Sequence, residues 1–233
     1  MKKILGIFLA RGGSKRIKNK NIINFFSKPI IYYPLKEAKK SKIFSKIHIS
    51  TESIKIKKKL SKLNFKIDFL RPKSLSKDHI KSLEVIRFIL NQYKKRNIYF
   101  DIIFNIMAPS PMVKSSDFKK ALKIFKKYKM KYPLQVFSEL SAPIEQAYKI
   151  NKRGLAIPLF KKSIIKNSQL FPKYYQEDGM FSIYPVKLVQ DKKFNFIKRG
   201  FCVYKLPKDR SVDIDNIGDL KLAKILFQGH KKI

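Results

Sequence analysis

Over its first 140 positions the chain alternates short apolar, β-branched runs with stretches of helical periodicity, and this rhythm restricts the possible folds more than any other feature. Residues 4–10 (ILGIFLA) read as a first strand, 47–50 as a second, 66–70 as a third, 101–106 as a fourth and 134–137 as a fifth. Helical patterns fill the gaps at 29–41, with Pro29 near its start, and at 53–63, 79–93 and 116–128. In the third of these, Leu83, Ile86, Ile89 and Leu90 share a face, and Ser115 or Ser116 is expected to cap the fourth. Buried strands separated by helices predict an α/β fold with a mostly parallel sheet covered on both faces. Ligands of such sheets bind beyond the carboxyl ends of the strands.

The rhythm changes after Ser138. Prolines stand at 143, 158, 172 and 185, and five aromatics lie between Phe171 and Tyr184. Residues 142–185 are therefore expected to form an insertion of strands and loops within a single domain spanning 1–233. Regular structure is expected to resume with a strand at 201–206 and a helix at 217–227.

Composition narrows the setting. The run at 4–10 ends at Arg11 with no small-residue cleavage site after it, which argues against a secretory signal. The lone Cys202 cannot form an internal disulfide and is expected to be a small buried hydrophobe. No apolar run reaches membrane-spanning length, so a soluble, cytoplasmic protein without membrane partners is expected. The net charge of +38 invites a nucleic-acid reading, but only eight of the 54 basic residues are arginine, leaving 46 lysines. Those lysines spread along the chain among abundant Ile, Asn, Phe and Tyr, all with AT-rich codons. Base bias explains the pattern as well as selection for binding does, so no nucleic-acid partner is expected, and a basic nucleic-acid-binding protein is the alternative of a different class.

Two constellations carry chemistry. The first strand runs into Arg11-Gly12-Gly13-Ser14-Lys15, which is neither a P-loop nor a dinucleotide fingerprint. Two glycines would let backbone amides approach an anion, Ser14 adds a donor, and Arg11, Lys15 and Lys20 could neutralise a triphosphate. The alternative is a solvated basic turn. The second constellation is Asp213-Ile214-Asp215: in an extended segment both carboxylates point to one side, where one divalent cation could meet them. Alternatively, Asp215 or Asn216 caps the helix starting near Ile217. His48 follows a strand pattern and is expected on the surface or in the core, not as a base.

Together, the string ARGGSKRIKNKN (10–21), ISTES (49–53), FLRPKSLSKDHIKS (69–82), APSP (108–111) and VDID followed by NIGDL (212–220) resemble, in order, the landmarks of the acylneuraminate cytidylyltransferases. SAPIEQAYKI (141–150) and YYQEDGMFSIY (174–184) are most similar to the pseudaminic-acid branch. The resemblance implies a Rossmann-like nucleotide-diphospho-sugar transferase fold, usually dimeric through the mid-chain insertion. It implies transfer of CMP from CTP to the anomeric hydroxyl of a nonulosonic acid, with Mg2+ as cofactor. Pseudaminic acid is the preferred sugar; legionaminic and N-acetylneuraminic acids are alternatives.

The same resemblance assigns Arg11, Gly12, Gly13, Ser14, Lys15, Lys20, Asn21, Arg71 and Ser82 to the nucleotide, with Asp78 in the same element as the last two. Asp213 and Asp215 match magnesium-binding carboxylates and, with Arg11, Lys15 and Lys20, the catalytic set. Met107, Gln146, Tyr175, Gly179 and Phe181 match the region that receives the sugar. Leu9 departs from the family's usual proline. Met107 stands where sialic-acid members place a glutamine, and it cannot donate the same hydrogen bonds.

Overall fold

The computed structural model of the protein describes residues 2–195, 198 and 200–232. In chain order, β1 (Ile4–Leu9) is followed by a small ribbon of β2 (Asn24–Phe25) and β3 (Lys28–Pro29), then α1 (Tyr32–Ser41). Next come β4 (Lys46–Ser50), α2 (Ile54–Ser61), α3 (Ser82–Lys94), β5 (Ile102–Met107), α4 (Ser115–Lys127) and β6 (Leu134–Glu139). A hairpin of β7 (Tyr148–Ile150) and β8 (Ala156–Pro158) precedes β9 (Tyr175–Pro185), α5 (Val186–Gln190), β10 (Cys202–Lys205) and α6 (Ile217–Lys232).

The central sheet has six strands in the order β10-β6-β9-β5-β1-β4. β9 is antiparallel to both of its neighbours, and the other ladders are parallel. Alternation along β1 explains the layers. Ile4 and Phe8 join the core under α1, α2 and α4, whereas Leu5 and Ile7 join the core under α3 and α5. Each fully buried side chain of this size contributes about 1.5–3 kcal/mol, so both helical layers are held by apolar burial. A third cluster, Phe25, Ile30, Ile214, Leu220 and Ala223 among its members, fixes α6 against the ribbon and thereby holds the 213–215 segment near the end of β1.

Four expectations are revised. Residues 66–70 form no strand: they lie beside β4, at the edge of the sheet, but contribute no ladder. Their alternation reflects Ile67 facing the core while Asp68 is drawn to Tyr93 and Lys46. Residues 175–185 are not part of an insertion but the β9 strand between β5 and β6, so only about 142–174 lies outside the sheet. The α4 cap is Lys114, whose N–H donates to Asp117 at 2.8 Å, while Ser115 already lies in the first turn. Finally, α6 runs past the expected end at 227 to Lys232, and His230 in this extension pairs with Asp209 at 2.9 Å. Cys202 is buried, as expected.

His48 proves to be a core residue on β4, 1 % exposed. Its Nδ1 lies 3.1 Å from the Tyr93 hydroxyl, and that hydroxyl donates its own proton to Asp68 at 2.5 Å. Nδ1 must therefore carry the hydrogen, leaving a buried Nε2 without a partner among the described residues. Burial, opposed by Asp68 and reinforced by Lys46 and Arg96, lowers the imidazole to about 4. Between that value and roughly 6.5 the unfolded chain binds a proton that the native state refuses, so stability falls as pH drops through this window. The expected loss is about 3 kcal/mol in urea titrations between pH 7 and pH 4. His48→Gln should flatten that dependence; an unchanged slope would place the acid sensitivity elsewhere.

Candidate active site

The turn leaving β1 is shaped by a carboxylate that lies two residues past β4. The Gly12 N–H donates to Glu52 Oε1 at 2.7 Å, and Glu52 Oε2 accepts from Ser76 Oγ at 2.8 Å and from Arg71 Nη2 at 3.3 Å. Arg71 Nε also donates to Ser76 Oγ at 2.9 Å, and Arg71 is only 6 % exposed. Burial alone would push the Glu52 carboxyl up, but the Gly12 amide, Ser76 and the Arg71 charge outweigh it and hold it below its ordinary value. A Cβ at Gly12 would sit 3.0 Å from Ser53 Cβ and 3.2 Å from Glu52 Oε1. Glycine is needed here for close approach to the end of β4, and the Gly12 amide already has its anion. Gly13 faces open space.

The cations of the turn are paired in two groups. Arg11 Nη1 and Lys15 Nζ hold opposite oxygens of Asp78, at 2.5 Å and 2.6 Å. Lys15 and Arg11 keep that exposed carboxyl below its usual range. Lys20 Nζ donates to the Ile214 carbonyl at 2.8 Å and to Asp215 at 3.1 Å, and Arg16 pairs with Asp215 at 2.7 Å. Asn21 closes the turn through a bond from its Nδ2 to the Arg11 carbonyl at 2.8 Å.

The 212–215 segment is extended, with Val212 and Ile214 buried and the two aspartates projecting to the other side. The helix cap is made without them: Asp219 accepts from the N–H groups of Asp215 and Asn216, and Asn216 Oδ1 accepts from Asp219 N–H at 3.0 Å. Neither side-chain carboxylate is spent on the cap, and Asp215 pairs instead with Arg16 and Lys20. Asp213 has no hydrogen bond or ion pair among the described residues, and partial desolvation, then the Asp215 carboxylate, push it above its ordinary value against the nearby Lys20 and Arg16 charges. A carboxylate pair whose neighbouring cations, Lys20 and Arg16, bond only Asp215 leaves Asp213 able to meet a divalent cation.

Buried polar contacts anchor the start of this segment. Arg210 is bound in a fork by Asp117, at 2.7 Å and 3.0 Å, and Tyr204 donates to the same carboxylate at 2.7 Å. The next residue, Ser211, donates to Asp178, which also accepts from Ser138 at 2.6 Å.

These elements enclose a cavity of about 610 Å³ at the carboxyl ends of β1 and β5. Arg11, Ser14, Lys15, Lys20, Asn21, Arg71, Ser82, Met107, Gly179, Asp213 and Asp215 all line it. Gly12 and Gly13 lie in the turn but not on its wall. Three sequence-based assignments to the sugar region fall elsewhere. Phe181 is 1 % exposed and packs on Phe104, Phe118 and Tyr204 in the core. Tyr175 lines a separate groove with Lys205, and Gln146 sits in a short 3-10 turn away from the cavity. Conversely, Asn105, Gln135, Glu177 and Ser182 line the cavity without having been singled out, beside Tyr184, the last residue of the 174–184 motif. Asn105, Gln135 and Ser182 each interrupt an apolar strand run, which was a readable signal.

A cation-lined turn facing paired carboxylates beyond a mostly parallel sheet is an arrangement suited to a nucleotidyltransferase. Comparison with known proteins agrees. The family model described as Cytidylyltransferase matches residues 5–233. The pseudaminic acid cytidylyltransferase of Campylobacter jejuni subsp. jejuni serotype O:2 is 33 % identical over 226 residues, 97 % of each chain. The N-acylneuraminate cytidylyltransferase of Escherichia coli O18:K1:H7 is 28 % identical over 230 residues, 97 % of this chain and 52 % of that one. Among solved structures, CMP:2-keto-3-deoxy-manno-octonic acid synthetase complexed with CTP superposes with a TM-score of 0.75 at 14 % identity, covering 98 % of this chain and 99 % of that one. The chain belongs to the cytidylyltransferase family.

Proposed function

We propose that the protein transfers CMP from CTP to the anomeric hydroxyl of a nonulosonic acid, pseudaminic acid foremost, with release of pyrophosphate. The observation that carries this reading is the single cavity in which the turn cations and the Asp213–Asp215 pair face one another. Arg11, Lys15 and Lys20 attract and orient the triphosphate, and Asp78 holds the first two in place until phosphate oxygens replace it. Arg71, neutralised by Glu52, contributes hydrogen bonds and shape more than net charge. Asp213 and Asp215 would hold Mg2+, a hard cation that commonly takes one or two carboxylates and fills its shell with water and phosphate oxygens. When bound, it would neutralise charge on the reacting phosphates. The protein's part is alignment of the hydroxyl and the α-phosphorus and stabilisation of developing charge.

The protein is further proposed to act in the cytoplasm, where CTP is made, as a homodimer. No helix among the described residues is long and apolar enough to cross a membrane. The segment outside the sheet exposes Tyr148, Ile150, Leu155, Ile157, Ile165 and Leu170, an apolar surface that a second copy would cover.

Pyrophosphate release from CTP, measured in parallel with pseudaminic, legionaminic and N-acetylneuraminic acids, tests the assignment. The highest kcat/KM is expected with pseudaminic acid, since Met107 offers an apolar contact where a hydrogen-bonding side chain would favour N-acetylneuraminic acid. No turnover with any of the three would refute it. In the same assay, Arg11→Ala should raise KM for CTP roughly tenfold by removing a charge-assisted phosphate contact. Lys58→Ala and Lys126→Ala, on exposed helix faces, should leave it unchanged. Equal effects at all three positions would point to diffuse attraction.

A further inference from the structure

Across the floor of the cavity runs a row of uncharged polar side chains that the nucleotide reading leaves without a task. The sheet register builds it: Asn105 on β5 lies opposite Ser182 on β9, which lies opposite Gln135 on β6, and Tyr184 is two residues along β9 on the same face. Asn105, Gln135, Ser182 and Tyr184 are 6 %, 7 %, 8 % and 6 % exposed, and all four line the cavity. Gln135 Nε2 reaches the Tyr184 hydroxyl only at 3.5 Å. The Asn105 side chain makes no hydrogen bond among the described residues, and its Oδ1 is wholly buried. A strand core interrupted by an unpaired amide is destabilising unless something else completes the bond.

We propose that this row reads an acylamino group of the acceptor sugar. The Asn105 side-chain amide, turned about its last bond to face the cavity, pairs with the substituent's amide, Ser182 and Gln135 bond its carbonyl or adjoining hydroxyls, and Met107 receives the acyl methyl. The inference rests on the transfer reading above for the presence of a sugar. Location favours the sugar over the nucleotide. The phosphate-binding cations follow β1, and the 71–82 segment lies beyond it toward β4. The row occupies β5, β9 and β6, on the side nearer the Asp213–Asp215 segment that follows β10. Chemistry narrows the ligand further. The row itself holds no cation for a carboxylate or phosphate, whereas side-chain amides match an amide donor and acceptor. Met107, two residues from Asn105 on the same strand face and 38 % exposed, adds an apolar surface beside the amide.

Asn105→Leu, nearly isosteric, and Ser182→Ala separate this proposal from its alternatives. Saturation-transfer NMR on the acyl methyl signals of pseudaminic acid, with CTP present and metal omitted, reads sugar binding without turnover; calorimetry reads CTP affinity. Asn105→Leu should weaken the sugar tenfold or more and Ser182→Ala severalfold, with CTP affinity unchanged within twofold. Should Asn105→Leu fail to fold, Ser182→Ala with the same readouts decides. Unaltered sugar binding in the folded variants overturns the proposal, as does wild-type protein that binds no acylamino sugar. Parallel loss of CTP affinity overturns it too, and assigns the row to the cytosine. Wild-type protein that binds the sugar through this row but releases no pyrophosphate would overturn the transfer reading alone.

Discussion

Replacing Asp213 or Asp215 by asparagine is expected to lower kcat for pyrophosphate release about a hundredfold or more, without loss of fold. The structure separates the two effects. Because Asp219 and Asn216 cap α6, neither substitution uncaps the helix. Asp213 is raised above its ordinary value by partial desolvation and by Asp215, so its charged form is disfavoured in the native state. At neutral pH, above the unfolded value, a neutral side chain removes that penalty, and Asp213→Asn should match or slightly exceed the wild-type thermal midpoint. Asp215→Asn gives up partly exposed pairs with Arg16 and Lys20, of small worth in water. Electron paramagnetic resonance of Mn2+ in the presence of CTP offers a readout independent of turnover, and both variants should bind the ion more weakly. Normal turnover at low magnesium in both would remove the aspartates from the chemistry.

Glu52→Ala should be the most damaging single change to stability around the site. It strands the Arg71 guanidinium, whose side chain is 4 % exposed, and frees the Gly12 amide and Ser76 hydroxyl. Removing one partner of a buried pair costs about 3–5 kcal/mol, because the remaining charge stays desolvated. Urea titration should show that loss, and KM for CTP should rise with it as the turn loses its tie to β4. Glu52→Gln retains one acceptor and should fall between the two. A double variant, Glu52→Gln with Arg71→Met, should recover part of the stability, since no uncompensated charge remains. A loss below about 1 kcal/mol for Glu52→Ala would mean that the carboxylate is solvated and does not organise the turn.

Much of this architecture was legible because periodicity reports burial. Four of the five early strands, all four early helices and the closing strand and helix lie where the apolar pattern placed them, within a few residues. The same logic misled at 66–70, where alternation records one face on the core and says nothing of ladder bonds. It also failed at 175–185. There Pro172, Gly179 and Pro185 masked a buried central strand; Gly179, at φ +63, falls in the pairing irregularity between β6 and β9, and Pro185 is that strand's last residue. At the site, cations and aspartates announced themselves by type and order. Glu52 did not, because its role depends on β4 lying beside β1, a relation set by topology alone. The glycine turn was read as an open anion cradle, yet at Gly12 the anion is supplied by the protein.

The position of β9 has a consequence for how the protein is made. Residues 175–185 fill the gap between β5 and β6, so the sheet cannot close while the chain emerges in order. Until they arrive, both flanking strands present unpaired edges, the kind of surface that invites pairing with other chains. β6 must then wait through residues 140–174 for its inner partner and still longer for β10, long-range contacts of the sort that slow folding. The strand that ends this exposure also brings Gly179, Ser182 and Tyr184 to the cavity. Closure of the sheet and completion of the substrate floor are therefore one event, and a nascent chain that still lacks β9 has no finished pocket to offer.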